Sequence, residues 1–517
     1  MNKLQVHENV IDKMVGFVDP VRAHSRMQAR ARIAIAKMAL NGKYHGGSRT
    51  RGGLKRFLPG NGSPDADLKY DREDLVGRSR DLIRNNPIAA GAINTNDINV
   101  VGTGLKPRPS IGERDRKFLG MTDDQAEEYE DRAEREFKLW AESQDCDIAR
   151  TLNFYSIQNL VYRQTNENGD VFVTFPRQAR ASSQYTLRLQ VIEADRVCNE
   201  NNITDRMFEN GRKLVSGVEK NRNGAPVRYH ICKEHPGNLT FTHKEWVKIP
   251  AFGEKTGLRN VLHLYHMLRP DQTRGIPYLA PVIEQLKQIS RYTEAELMAA
   301  VVQGMFTVFI QSETDPDLDP TGKRPEGAEE DEEYGLGYGS VVGLGENEKI
   351  ETANPTRPST AFDPFMQAIC QQVGVALGIP VEVLLLHFTA SYSASRAALL
   401  EAWKFFRTRR QWLIWTFCQP VYEMFMWEAV ARGTIYAPGF FDSPAMRKAY
   451  LSARWVGDGR GHINPSQEAN AVKTRTEIGL TTMEQEKAEY NGSSFEQDLP
   501  QIRRERREMQ GEENAAN

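Results

Sequence analysis

The run Gly378-Ile-Pro-Val-Glu-Val-Leu-Leu-Leu-His387, continued by Phe388-Thr-Ala-Ser-Tyr-Ser-Ala-Ser-Arg-Ala-Ala-Leu-Leu-Glu401, joins two strongly helical segments through a short polar loop. The second segment extends through Trp403, Phe406, Leu413, Phe417, Val421 and Met424. At about 100° per residue these positions form one stripe with Leu399. Phe405, Trp412 and Trp415 lie off it. A helix apolar on several faces must be covered on several sides, by its own domain or by a neighbour. Pro420 predicts a kink. The loop side chains His387, Phe388, Thr389, Ala390, Ser391, Tyr392, Ser393 and Ser395 include no Asp, Glu, Lys or Arg, and the first fixed charge is Arg396. Such a loop is poorly equipped for chemistry and suited to touching something smooth and repetitive. Arg396 and Arg407 fall close together in angle, where they can reach phosphates or a neighbour's carboxylates.

Upstream of the loop the pattern is helix, strand, loop, strand, helix. Leu279, Val282, Ile283, Leu286, Ile289, Thr293 and Leu297 keep helical spacing. Val308-Phe-Ile310 reads as a strand and Ser340-Val-Val-Gly-Leu344 as its counterpart. Phe362, Phe365, Met366, Ile369, Val373 and Leu377 give a second amphipathic helix. A small α/β knob on a two-helix stalk follows. Nearer the N-terminus, residues 71–100 read as helix, broken at Asn85-Asn-Pro87. Strand and turn are expected over 100–107 and a helix over 123–141. From 155 to 268 the pattern turns to short strands: 171–175, 187–192, 227–231 and 261–265, with a turn at Asn223-Gly224. The fold class is α+β.

At 517 residues the chain is too long for one core, so two to four domains are expected. Apolar residues make up 39% and charged residues 26%, which suits an ordered, rather polar protein. No apolar run approaches the roughly 18 residues of a spanning helix, and Met1-Asn-Lys-Leu has no signal-peptide core. Synthesis in the cytoplasm is expected. The five cysteines are scattered without a CxxC pair, which indicates neither disulfides nor zinc. The net charge of −2 argues against a simple DNA-coating protein. Charge is sorted by segment instead. Residues 1–60 hold twelve Lys/Arg against Glu8, Asp12 and Asp19. Residues 312–333 hold ten Asp/Glu, among them Glu329, Glu330, Asp331, Glu332 and Glu333, against Lys323 and Arg324.

Catalytic signatures are missing. There is no GxxxxGK[ST], HExxH or GxSxG. Gly335-Leu-Gly-Tyr-Gly339 lacks the spacing of a dinucleotide site, and the acidic cluster lacks the fixing glycine of a calcium loop. No cofactor, metal or catalytic residue is expected.

The loop segment resembles that of the lambda-like phage portal family, where a "GIP/GVP…YSSAR-like" stretch marks a loop facing the DNA channel. Arg80-Asp-Leu-Ile-Arg-Asn-Asn-Pro87 with Val100-Val-Gly-Thr-Gly-Leu105 resembles the start of such proteins. Trp455-Val-Gly-Asp-Gly-Arg-Gly-His-Ile-Asn-Pro465, with Gly479-Leu-Thr-Thr482, resembles their C-terminal segment. The resemblance implies a portal fold divided as follows: a basic N-terminal arm (1–63), a mixed α/β wing (64–276), a stem helix (277–304), a clip (305–355) and a second stem helix (356–378). A channel loop (379–395), a long kinked wing helix (396–435) and a helical C-terminal crown (436–517) complete it. It also implies a homo-oligomeric ring, usually of twelve subunits, at one capsid vertex of the virion. That ring carries double-stranded DNA non-specifically. It engages the terminase large subunit, later a head–tail connector or adaptor protein, and the major capsid or scaffold protein, with no membrane and no catalysis. The residues singled out are then the loop from His387 to Arg396 with Arg407 facing DNA, and Glu329–Glu333 facing a clip partner. The rival readings are another virion structural protein or a nucleic-acid-processing terminase component.

Overall fold

The computed structural model describes residues 10–40, 53–54, 56–238, 244–304, 308–312, 348–352, 362–388, 391–459, 465–491, 495, 498–499 and 502–503. It divides into two compact units, residues 1–63 and 64–517. In the first, α1 (Val10–Val18) and α2 (Pro20–Leu40) meet at Asp19. The Asp19 carboxylate accepts hydrogen bonds from the backbone N–H groups of Val21 and Arg22, both at 3.1 Å, and so caps α2. Pro20 stands in the first turn, where its missing N–H has no helical partner to lose.

The second unit opens with α3 (Pro64–Leu68), α4 (Arg72–Asn85) and α5 (Pro87–Val100). The break falls where the proline dictates: Asn86 is extended, and its side chain accepts from the Ala89 N–H at 2.9 Å. Next come β1 (Lys106–Pro109), α6 (Glu113–Leu119) and α7 (Asp123–Glu142), which starts from a reciprocal cap between Thr122 and Gln125. Helix α8 (Phe154–Asn168) replaces the strands expected from residue 155 onward. Its Phe, Tyr, Ile and Val content favours strand. Burial instead repeats at Phe154, Ile157, Gln158, Val161, Tyr162 and Thr165, a helical period, and Asn153 caps the helix through the Ser156 N–H at 2.9 Å.

Two antiparallel sheets follow. The smaller has the order β3-β2-β9, built from β2 (Asp170–Thr174), β3 (Gln190–Glu193) and, later in the chain, β9 (Val261–Tyr265). The larger runs β4 (Arg206–Met207), β5 (Lys213–Val215), β6 (Val218–Lys220), β7 (Pro226–Cys232) and β8 (Trp246–Pro250) in chain order. The strand expected over 187–192 starts late, because Leu187 makes only an isolated bridge to Arg177. The expected turn is present: Gly224, at φ +82°, donates to the Asn221 carbonyl at 3.1 Å. Phe172, Ile192 and Val261 of one sheet pack on Val218, Tyr229 and Ile231 of the other.

The chain then forms α9 (Ile283–Gly304), β10 (Val308–Ser312), β11 (Glu348–Thr352) and α10 (Phe362–Leu377). A short 3-10 turn, Ala280–Val282, precedes α9, so the helix expected from 279 starts at 283. Strand β10 pairs antiparallel with β11; the strand expected over 340–344 and the acidic residues Glu329–Glu333 lie outside the described residues. Tyr292 of α9 stacks on Phe362 at 5.4 Å and meets Phe365 edge-on at 5.0 Å, which ties α9 to α10. After α11 (Val381–Leu384) come α12 (Tyr392–Leu413) and α13 (Gln419–Ala431), separated by a π-helical turn, Ile414–Cys418. Pro420 accounts for that turn: it cannot donate to the preceding turn and its ring crowds the carbonyl four residues back. Elements α14 (Pro444–Tyr450), β12 (Ala453–Val456), α15 (Pro465–Glu477) and α16 (Met483–Asn491) complete the unit. Strand β12 pairs with β1, Lys106 opposite Val456.

The main core surrounds Phe137, which meets Phe154, Tyr422 and Phe425 edge-on at 5.5, 5.3 and 5.2 Å. The stripe residues Phe406, Leu413, Phe417, Val421 and Met424 are all buried in it. The chain also covers most of the helix's other faces. Phe405 packs on Tyr278, and Trp412 stacks on His266 at 4.0 Å, leaving Trp415 65% exposed.

That stacking has a titration consequence. Burial, aided by the Arg409 charge, lowers the His266 pKa from 6.5 to about 3. The folded state therefore keeps the ring neutral while the unfolded chain protonates below about pH 6.5. Stability from this group is complete above pH 6.5 and is lost progressively down to about pH 3; His230 and His263 shift in the same direction. Between pH 7 and 5.5, His266→Phe is expected to lose about 1 kcal/mol less stability than the wild type, read from denaturant midpoints at the two pH values. Equal losses would contradict the neutral buried ring.

Candidate nucleic-acid interface

The loop singled out in the sequence is held at both ends. Helix α10 ends at Gly378, where φ is +68° and a Cβ would press on the Phe405 ring at 2.9 Å. Only glycine fits there. The Ile379 N–H returns to the Gly374 carbonyl at 2.9 Å, and Pro380 starts α11. Thus the stretch 379–395 is not one loop. Its first part is a helical turn whose Val383 and Leu384 are buried in the core, and its last part is the start of α12. Between them the turn reverses at Leu386, at φ +51°, with the His387 N–H bonded to the Glu382 carbonyl at 3.0 Å. This closes a helix end with leucine where glycine is usual, at a cost of about 1–2 kcal/mol. Ser391 opens α12 by accepting from the Ala394 N–H at 3.4 Å, and the Ser395 N–H returns to the Ser391 carbonyl at 2.9 Å.

His387, Phe388, Ser391 and Ser393 are exposed, and Ser395 is half-buried. Tyr392, Ser393, Ser395 and Arg396 belong to the first turns of α12 rather than to a loop, while Thr389 and Ala390 lie outside the described residues. Leu386, 75% exposed, is a residue the sequence reading passed over. Its signal was the run Leu384-Leu-Leu386, too long for one turn of helix to bury. Arg396 and Arg407 are exposed on one side of α12, about 16 Å apart along the axis at 1.5 Å per residue. Among the described residues neither makes an ion pair.

The other two arginines of α12 are structural. Arg409 lies over the rings of Tyr278 and Phe405 at 5.5 and 5.1 Å. Arg410 donates to the carbonyls of Asn99 (2.9 Å), Val100 (3.0 Å) and Asp458 (2.9 Å), and its guanidinium stacks on Trp403. It caps the C-terminal end of α5 with a cation, the end that favours one. One cluster among the described residues has metal-ligand chemistry: Glu193, Asp195 and His235. Arg80 is already seated on it, at 2.8 Å from Glu193 and 2.6 Å from Asp195. Burial alone would raise the Asp195 pKa, but Arg80, with Arg72 and His235 near, turns the shift downward. The cluster is a satisfied ion-pair network.

The family model "Phage portal protein, lambda family" matches residues 50–410. The chain belongs to the lambda family of phage portal proteins. It is 26% identical over 491 residues to Portal protein B of Escherichia phage lambda, covering 89% of each chain. It is 27% identical over 491 residues to the portal protein of Escherichia phage N15, again covering 89% of each. Among solved structures, a chain from the neck of an empty GTA particle gives a TM-score of 0.40 at 12% identity, covering 81% of this chain and 92% of that one. The role is that of a phage portal, a structural one; the terminase reading is set aside. No described helix of this portal protein is long and apolar enough to cross a membrane.

The division of labour among the arginines is measurable. Arg410→Ala removes three hydrogen bonds from a charged donor, and a loss of about 2–3 kcal/mol in unfolding free energy is expected. Arg407→Ala is expected to stay within about 0.5 kcal/mol of the wild type. Equal effects in a urea titration would contradict the separation.

Proposed function

We propose that copies of this chain, twelve in number, close into a ring at one vertex of the capsid, with double-stranded DNA passing along the axis during packaging and on exit. The observation that carries the reading is the exposure of Leu385, Leu386, His387, Phe388 and Ser391, none with a fixed charge, next to buried Leu384 on one side and the Ser391 cap of α12 on the other. DNA that must slide needs contacts that are weak and sequence-independent. A basic bore would hold it by releasing counterions. A narrow belt of side chains without fixed charge, with only Arg396 and Arg407 behind it, avoids that grip. Closure of such a ring joins one surface patch to a different patch on the next copy. Val375 of α10 and Trp415 of the π-helical turn, both exposed apolar side chains, supply surface for it.

In this reading α9 and α10 are the stem, residues 305–355 the clip, residues 64–276 and 396–435 the wing, and 436–517 the crown. The clip, with its acidic insert, meets the terminase large subunit and later a head–tail connector or adaptor. The ring itself seats against the major capsid or scaffold protein within the virion.

A purified sample is expected to give rings in negative stain and a matching mass; monomers or twofold dimers alone, under all conditions, would sink the reading. Ser393→Cys is expected to crosslink to DNA in filled heads and not in empty ones. Free labelling of that cysteine from outside a filled head would remove the turn from the channel. Replacing Glu329 to Glu333 by Ser is expected to leave the ring intact and to weaken binding of a basic clip partner, most at low salt. Unchanged affinity at low salt would take the clip assignment away.

A further inference from the structure

Two stretches of the chain share one pattern, Val101-Gly-Thr-Gly104 and Val456-Gly-Asp-Gly459, and stand 355 residues apart. In the fold they clasp each other. Both lie at the same end of the β1–β12 ladder, where Lys106 is opposite Val456. One oxygen of the Asp458 carboxylate accepts from the Thr103 N–H at 2.7 Å, and the other accepts from the Thr103 hydroxyl. A charged acceptor makes these the stronger kind of hydrogen bond. The Asp458 carbonyl accepts from Arg410 at 2.9 Å. The approach is close: Gly102 lies at φ +58°, where a Cβ would overlap the Asp458 carboxylate, and a Cβ on Gly457 would press on Leu105 and Arg410. Of the three carbonyls that Arg410 holds, those of Asn99 and Val100 belong to α5 and the third is that of Asp458. The strap 453–458 therefore ties α12, the end of α5 and the segment after it at one point.

The position of that point matters because of how α12 is held. Among its described side chains the first buried one is Ala402. From Ala402 to Arg410 the helix rests on the core over about 12 Å, and from Ala402 back to Tyr392 it overhangs by about 15 Å, at 1.5 Å per residue. The π-helical turn after Leu413 interrupts the ladder, so α13 does not extend the base as one straight rod. A lever whose overhang exceeds its base is aimed by whatever fixes the far end of the base. A tilt of about 10° about Ala402 would carry Tyr392 about 3 Å. Arg410 is that far end. The other limb of the turn shares the joint, since α5 packs on α11 as well as on α12, with Gly91 beside the Leu384 carbonyl.

We infer that Asp458 is a positioning residue for the turn: by joining Thr103 to Arg410 it aims α12 and fixes where residues 385–395 stand. The inference goes beyond the passage of DNA and does not depend on it, since the position is read without DNA. The test uses the full-length chain in a Cys198→Ser background, which removes the one native cysteine that is not buried. Nitroxide labels on Ser393→Cys and Glu127→Cys, both at exposed positions, report the turn against α7. A second pair, Arg78→Cys with Glu127→Cys, reports α4 against α7. Labelled chain is diluted into unlabelled chain, so that pulsed electron paramagnetic resonance reads distances within one copy. The wild type is expected to give one narrow distance for each pair. Asp458→Ala and Thr103→Val are each expected to shift or broaden the distance between positions 393 and 127 by about 3 Å and to leave that between 78 and 127 as it is. Thr103→Ser, which keeps the hydroxyl, is expected to match the wild type. If Asp458→Ala does not fold, Thr103→Val, which is at an exposed position and keeps the N–H bond, decides alone. The inference is overturned if the folded variants keep the wild-type distance between 393 and 127, or if both pairs broaden together, which would make the clasp a general brace.

Discussion

One buried ion pair, Asp170 with Arg274, joins both sheets to the segment that leads into α9. The Asp170 carboxylate at the start of β2 receives Arg274 Nε at 2.6 Å and Nη2 at 3.1 Å, His263 at 3.1 Å and the Gly275 N–H at 3.1 Å. The remaining Arg274 donors go to the carbonyls of Ala194, Val197 and Ser216, at 2.7, 2.8 and 2.8 Å. All five N–H groups of the guanidinium are thus used, on the central strand, on the turn after β3 and on the turn between β5 and β6. Burial would raise the Asp170 pKa, but Arg274, Arg72 and the His263 hydrogen bond hold it well below the usual carboxylate range. A buried pair is weak evidence for net stability, since desolvation offsets much of its attraction. Its effect here is geometric. It fixes both sheets to the segment that leads into α9, and a Cβ on Gly275 would overlap the Gly169 carbonyl, so the two strands of chain approach as closely as backbone allows.

This constraint marks the limit of what the sequence discloses. Local rules were legible. The Asn86–Pro87 break, the α10 boundaries at Phe362 and Leu377, and strand β9 follow from proline geometry and apolar period. Nothing local in the sequence Arg269 to Pro277 says that Arg274 is one of the most deeply buried side chains among the described residues. Its partner lies 104 residues away. Helix α8 escaped for the opposite reason: its residues prefer strand, and the Asn153 cap and tertiary burial overrode that preference.

The helix α12 makes the same point at the candidate interface. Sequence placed five cations on residues 396–410 and ranked Arg396 and Arg407 by angle alone. The difference between them and Arg410 comes from acceptors about 310 residues earlier and 48 residues later, at Asn99, Val100 and Asp458. Likewise Phe405 and Trp412, off the main stripe, left open whether their cover came from the same domain or from a neighbouring subunit. Tyr278 and His266 of the same chain cover them, and only Trp415 keeps the exposure that pattern implied.

The turn at Leu386 shows what a proposed channel element requires mechanically. A segment that touches a moving polymer has to be soft in its contacts and firm in its position. Softness is compositional and was readable: no fixed charge before Arg396. Firmness is not, because it comes from Gly378 under the Phe405 ring, from Leu384 in the core, and from Arg410 pinning α12 to α5. The strain held by a leucine in the left-handed region persists only because those anchors on either side determine the path of the chain. Relaxing any of them would let the turn shift without altering a single one of its own residues, so the position of the turn is a property of the surrounding core rather than of the turn itself.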